Sequence, residues 1–246
     1  SQCNLTRRHT MINPKILSDI EAHPALRHTV FQTLAARMYP PEVLTNYLVN
    51  MATFCAASRW PGTMFQEFDA VKCRHACDAI DKILASEQGH EAQLQAMGAL
   101  LIGSTHLEPL NRLDEDDIYE RITDGTHDAI GTLTLRETDS WDDALYALGG
   151  MLAVEIVANR QIIPGQVAAF IDSGFYGLTL DDVPYLKEHA GEHGAEHDHE
   201  ATMITVVGNF LPDDQARVAE GATEMLNSLE GFYDDLEAIF KDGNPA

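Results

Sequence analysis

Four histidines and five acidic residues crowd the sixteen positions from Tyr185 to Glu200, YLKEHAGEHGAEHDHE. At about 100° per residue, His189, His193, Glu196 and Glu200 would fall within roughly 60° of one another on a continuous helix. Glu192 flanks that face on one side and His197 on the other. Imidazoles and carboxylates at such spacings let one helix present several ligands to one point, as helical bundles do when they hold two metal ions. A solvated His/Glu-rich tract has the same composition. The choice depends on whether the rest of the chain supplies further ligands.

Glu155 is the first candidate. It lies in ALYALGGMLAVEIVANR, and Leu148, Met151, Leu152 and Ala158 share its helical face. A carboxylate on a core-facing stripe must be paired, protonated or metal-bound, because a bare buried charge is very costly. A salt bridge to Arg160 is the competing use, but the chain has only 16 lysines and arginines. Glu87 and His90 come next, since Glu-x-x-His on a helix turns both side chains to one side. The expected ligand set is therefore Glu87, His90, Glu155, His189, His193 and Glu196. This mixed oxygen and nitrogen set suits two Fe or Mn ions with bridging carboxylates. Structural zinc would favour four ligands, often cysteine, and calcium would favour mostly oxygen. Gly191 and Gly194 each cost about 0.8–1 kcal/mol relative to alanine inside a helix, which predicts a segment that is loose without metal.

Other chemistry is poorly supported. The chain has no Gly-rich phosphate loop, no G-x-S-x-G and no cysteine in a nucleophile signature. His23, His28, His75, His106 and His127 are scattered and suit structural or surface roles. The formal net charge is −23. Without a basic stripe, a nucleic-acid or anionic-membrane partner is disfavoured. No run of eighteen apolar residues occurs, and the polar start SQCNLTRRH is unlike a signal peptide, so a cytoplasmic protein is expected. Cys3, Cys55, Cys73 and Cys77 are too few for a disulfide scaffold in a chain of 246 residues; Cys73 and Cys77 read as reduced core thiols.

The elements that must position these residues read as helices. Asn13-Pro14 opens a helix that continues to about 38, and apolar periodicity predicts further helices over about 41–58, 65–85, 90–102, 113–132, 141–160, 164–172, 180–200 and 212–241. Trp60-Pro61-Gly62 and 103–112 read as connections, and no segment alternates as a strand does. The expectation is an all-α single domain over 1–246, a bundle of about eight or nine helices, with 1–12 as a flexible N-terminal segment.

Four passages resemble the haem-oxygenase-like dimetal oxidases, the CADD-like group within the TenA/PqqC superfamily. HPALRHTVFQTLAARMYPPEVLTNYLVNMATFCAASR is similar to the family's opening helix pair, and SEQGHEAQLQAMGALLIG to its E-x-G…H-x-x-L…G segment. LGGMLAVE resembles the helix with its lone central Glu, and YLKEHAGEHGAEH stands where the family has H-x3-D/E-x2-H. Two departures stand out: Glu87 and His90 are separated by two residues rather than six, and the last motif reads His189, His193, Glu196. The resemblance implies a haem-oxygenase-like helical bundle, often a homodimer, that holds two Fe ions or an Fe/Mn pair and uses O2 as co-substrate. The implied activity is oxidation of a small amino-acid-like or fatty-acid-like molecule by desaturation, N-oxygenation, C–C cleavage or hydroxylation. The alternative is a non-catalytic or cofactorless TenA/PqqC-like protein that binds a small molecule.

Overall fold

The computed structural model describes residues 11–69, 74–135 and 139–242, and among these every regular element is helical. The chain opens with α1 (Pro14–Ala22), a 3-10 turn over Pro24–Arg27 and α2 (Val30–Ala35). One helix from Asn13-Pro14 to about 38 is expected; it opens there, but two histidines break it. His23 Nδ1 accepts the Ala25 N–H at 3.2 Å, and His28 Nδ1 accepts the Val30 N–H at 3.1 Å. Side-chain acceptors that capture backbone donors in this way start new turns rather than continue old ones. The expected flexible segment 1–12 lies mostly outside the described residues, although Ile12 is already buried.

Next come α3 (Pro41–Ala57), α4 (Trp60–Asp69), α5 (Arg74–Ser86) and α6 (His90–Ile102). Trp60-Pro61-Gly62, read as a turn, is the first turn of α4, a position where proline's missing N–H costs nothing. The stretch read as a connection after Gly103 holds α7 (Ser104–Leu110). The helix expected over 113–132 is two, α8 (Glu115–Arg121) and α9 (Asp124–Thr134). Thr123 divides them by accepting the Thr126 N–H as an N-cap.

Ser140 caps α10 (Trp141–Val157) by accepting the Asp143 N–H, as its sequence predicts. A π-helical turn (Ala158–Ile162), α11 (Ile163–Val167) and a second π turn (Ala168–Asp172) prolong α10. The chain ends with α12 (Pro184–His189), α13 (Ala195–Gly208) and α14 (Pro212–Asp242). Cys3 and Cys73 lie outside the described residues.

α14 is the spine of the bundle, and α10 and α9 pack along it. Its buried Val218, Ala222, Met225, Leu229, Phe232 and Leu236 recur at helical spacing. Burying each large apolar side chain contributes about 1.5–3 kcal/mol before entropy is counted. A Cβ on Gly149 would strike the Val218 carbonyl, and one on Gly221 the Tyr146 carbonyl, so the two backbones meet directly. This contact sinks α10 so deeply that all of its residues from Ala147 to Val157 are buried, Glu155 included. Among the described residues no helix is long and apolar enough to cross a membrane.

A candidate metal centre

Glu155, near the end of α10, faces α13 and the turn between α5 and α6. Its Oε2 lies 3.4 Å from His199 Nδ1 on α13. The same His199 nitrogen is 3.2 Å from Oε1 of Glu87. The other Glu87 oxygen is 2.9 Å from His90 Nδ1. His90 Nδ1 in turn sits 3.0 Å from His189 Nε2, which lies 3.8 Å from Glu196 Oε1. Three imidazoles and three carboxylates from four parts of the chain thus meet in one cluster. Ligand atoms of Glu87, His90 and His189 lie within 4.8 Å of one another, as do those of Glu87, Glu196 and His199. Glu87 belongs to both groups.

Five of the six residues expected from sequence meet here: Glu87, His90, Glu155, His189 and Glu196. His193 does not. It is exposed, as are Glu192 and His197. The continuous helix that would have aligned His193 with His189 is broken at 190–194, between α12 and α13. Gly191 adopts φ +86°, open to glycine and strained for other residues, and a Cβ on Gly194 would collide with the His189 backbone. The break turns α13 so that Glu196 and His199, three apart, face inward. His199 carried its own signal, since Glu196-x-x-His199 has the D/E-x2-H spacing; the assumption of an unbroken helix hid it. Gly89 plays a similar part at φ +90°, so Glu87 and His90 span the turn between α5 and α6 instead of sharing a helix.

His189 and His199 each turn one nitrogen inward while the other is hydrogen-bonded outside the cluster. His189 Nδ1 lies 2.6 Å from the Tyr185 carbonyl, which only accepts, so Nδ1 carries the proton and Nε2 offers a lone pair to the cluster. Ser86 Oγ is 2.8 Å from the Ile83 carbonyl and 2.6 Å from His199 Nε2. With the Ser86 hydroxyl donating to the Ile83 carbonyl, Nε2–H of His199 donates to Ser86 Oγ, and Nδ1 is the nitrogen that faces the cluster. That Nδ1 is buried, faces two carboxylates and makes no hydrogen bond. His90 Nε2 points toward Glu188, 3.8 Å away. Outer partners of this kind fix the orientation and tautomer of metal-ligating histidines.

The electrostatics are those of a site short of positive charge. Among the described residues no lysine or arginine pairs with Glu87, Glu155 or Glu196. Arg160, the rival partner for Glu155, instead donates from Nε to Glu200 at 2.9 Å and pairs through NH1 with Glu21 at 2.7 Å. Burial first, then Glu155 and Glu87, hold the Glu196 carboxyl well above the ordinary carboxylate range. Burial would depress His199, but Glu155 and Glu87 outweigh it and raise the imidazole. His189 is lowered, chiefly by burial and despite the Tyr185 carbonyl. Protons held in this way occupy places a divalent cation would take, and the donor set matches Fe or Mn.

A cavity of about 680 Å³ opens from the cluster, where Glu87, His90, Glu155 and Glu196 form part of its wall. Tyr185 lines it, whereas Tyr176 accepts the Tyr39 N–H at 3.1 Å and Tyr146 lies under the Arg217 guanidinium.

Comparison by sequence finds no matching family model and no matching curated protein. Solved structures do match. A CADD-like protein of unknown function from Nostoc punctiforme superposes with a TM-score of 0.64 at 16% identity, over 91% of this chain and 96% of that one. A TenA homologue from Pseudomonas syringae pv. tomato superposes with a TM-score of 0.64 at 14% identity, over 90% of each chain. Likeness at this identity speaks for the fold and leaves the chemistry to the site. The chain has the all-α, haem-oxygenase-like fold common to CADD-like and TenA proteins.

Proposed function

We propose that this protein is a non-haem dinuclear metal oxidase or oxygenase that uses O2 to oxidise a small organic molecule. One observation carries the reading: six side chains of metal-binding type meet in a largely buried cluster in which, among the described residues, no lysine or arginine balances the carboxylates. Glu87, His90 and His189 would hold one ion. Glu87, Glu196 and His199 would hold the other, with Glu155 beside them. When bound, two iron ions, or an Fe/Mn pair, supply the electrons that O2 chemistry needs.

The chain's own residues do the rest. The Tyr185 carbonyl and the Ser86 hydroxyl fix the His189 and His199 rings before any metal arrives. Bound metal would favour the ionised Glu196 carboxylate, which burial and its acidic neighbours disfavour. The apolar wall of Met151, Val154 and Ile163 keeps water from the reacting end of the cavity. A homodimeric assembly and a cytoplasmic location belong to the same proposal.

Anaerobic loading with Fe(II) tests it. The wild type should take up two irons per chain and show an absorbance change when O2 is admitted, and Glu155→Ala should lose at least one iron and that change. Iron uptake that ignores Glu155→Ala, or no stoichiometric metal at all, would leave the cofactorless binding protein as the better account.

A further inference from the structure

The ligand-bearing end of α13 lacks the usual means of holding a helix in place. α13 starts after Gly194 without a side-chain cap, and the break at Gly191 leaves its direction independent of α12. Among residues 195–202 the buried ones are Glu196, His199 and Glu200, all polar, and buried apolar side chains begin only at Met203. Glu196 and His199 face the other acids and imidazoles of the cluster. Glu200 is the one of the three that meets a permanent cation.

Both Glu200 oxygens are taken. Oε1 accepts from Arg160 Nε at 2.9 Å and from NH2 of the same guanidinium, and Oε2 accepts from Asn159 Nδ2 at 2.6 Å. Glu200 is 7% exposed, and an acid so buried is costly without such a partner. Arg160 reaches it because α10 does not continue as an α-helix. At 100° per residue Arg160 would stand about 140° around from Glu155. It lies instead in the π turn Ala158–Ile162, whose i→i+5 bonding brings residues five apart back toward one side. Glu155 therefore meets His199, and one turn later Asn159 and Arg160 grip Glu200. The same grip occupies Glu200, which stands four residues after Glu196 and is not among the clustered ligands.

We infer that Arg160 is a positioning residue: through Glu200 it holds the first turns of α13 against α10, so that Glu196 and His199 stand beside Glu155 and Glu87 before metal arrives. This rests on the cluster being a metal centre, and it singles out one of the two ions. The trio Glu87, Glu196 and His199 depends on α13, whereas His90 and His189 of the other trio stand on α6 and α12. Glu21, the second partner of Arg160, is more than half exposed and adds little.

Mn(II) affinity, measured by chelator competition in single-site backgrounds, tests the inference. His90→Ala leaves the α13 trio, and His199→Ala leaves the other. Adding Arg160→Met should weaken the remaining ion roughly tenfold in the His90→Ala protein and less than about twofold in the His199→Ala protein. Arg160→Met by itself strands a buried charge and lowers stability. Arg160→Met/Glu200→Met removes both charges, so it should recover the urea midpoint while the α13 ion stays weakened. Equal weakening in both backgrounds, no weakening in either, or full recovery of the ion by the double substitution would overturn the assignment. Imidazole 15N spectra of the metal-free double variant separate this from the oxidase reading. His199 should lose the Nε2–H form that Ser86 fixes, while His189 keeps its Nδ1–H form. That change in a protein whose wild type binds no Mn(II) counts against the metal centre and supports the positioning role. A His199 signal that does not change overturns the positioning role whatever the metal result.

Discussion

Two of the places where carboxylates and histidines from distant parts of the chain meet are built in opposite ways. At the seam between α2 and α14, Glu237 Oε1 accepts from Thr29 Oγ1 and Thr33 Oγ1, each at 2.7 Å. Its Oε2 accepts from Lys241 Nζ at 2.7 Å, and neighbouring Asp234 lies 3.0 Å from His28 Nε2. Every acid there has its own donor. Lys241, then Thr33 and Thr29, pull Glu237 down to about 2 despite some opposition from burial. At the candidate metal centre the acids face one another, and Glu196 moves the other way. A satisfied polar cluster holds helices in place. An unsatisfied one, kept at a cost to stability, is where a ligand belongs.

The contrast is tested most strongly by removing one donor from each place. Ser86→Ala takes away only the outer partner of His199, and it should weaken Fe(II) binding by roughly 10–100-fold, measured by competition with a chelator, while the metal-free fold is unchanged. Thr33→Ala removes one of several donors to Glu237, so it should cost about 1 kcal/mol in urea unfolding and leave iron affinity alone. If Ser86→Ala lowers stability and spares iron, the cluster at the end of α10 is structural as well, and the distinction fails.

pH separates the two more finely. Glu196 has a folded pKa above that of the unfolded chain, so its contribution to stability is complete below the ordinary carboxylate value. That contribution is lost as pH rises through the raised folded value. Glu237 is depressed, so its contribution is present above the ordinary value and is lost as pH falls toward about 2. The metal-free protein should therefore weaken on both sides of a mildly acidic optimum. Saturating Mn(II) should reverse the high-pH loss, because metal replaces the proton on Glu196, and leave the low-pH limb where it was. Urea midpoints across the pH range, with and without Mn(II), would show this. A high-pH limb that Mn(II) does not alter would mean that the ion binds elsewhere.

Much of this architecture is legible in the residues. Ser140 announces the start of α10, Pro41 that of α3, and the apolar stripe around Glu155 marks a carboxylate headed for the interior. What escapes a sequence reading is local competition for backbone donors. The rings of His23 and His28 cap turns inside a run whose periodicity suggests one helix, and Thr123 does the same between α8 and α9. The break between α12 and α13 is subtler. Glycine in a helical pattern costs so little that the period seems to continue across Gly191 and Gly194. The positive φ of Gly191 and the close approach of Gly194 to the His189 backbone show that it does not.

That break makes the smallest expected effect the sharpest one. On an unbroken helix, His193 is a ligand and His199 points elsewhere; with α12 and α13 separated, His193 stands in solvent and His199 is buried beside Glu87 and Glu155. His193→Ala should then leave iron stoichiometry unchanged and affinity within about twofold, as surface substitutions away from packed or paired groups do. His199→Ala should abolish one iron. The comparison is informative because the two histidines share a residue type, a segment and an adventitious attraction for metal, and differ only in where the break puts them. Equal losses from both substitutions would show that the helix closes across 190–194 when metal binds, bringing His193 back to the face that its spacing from His189 suggests.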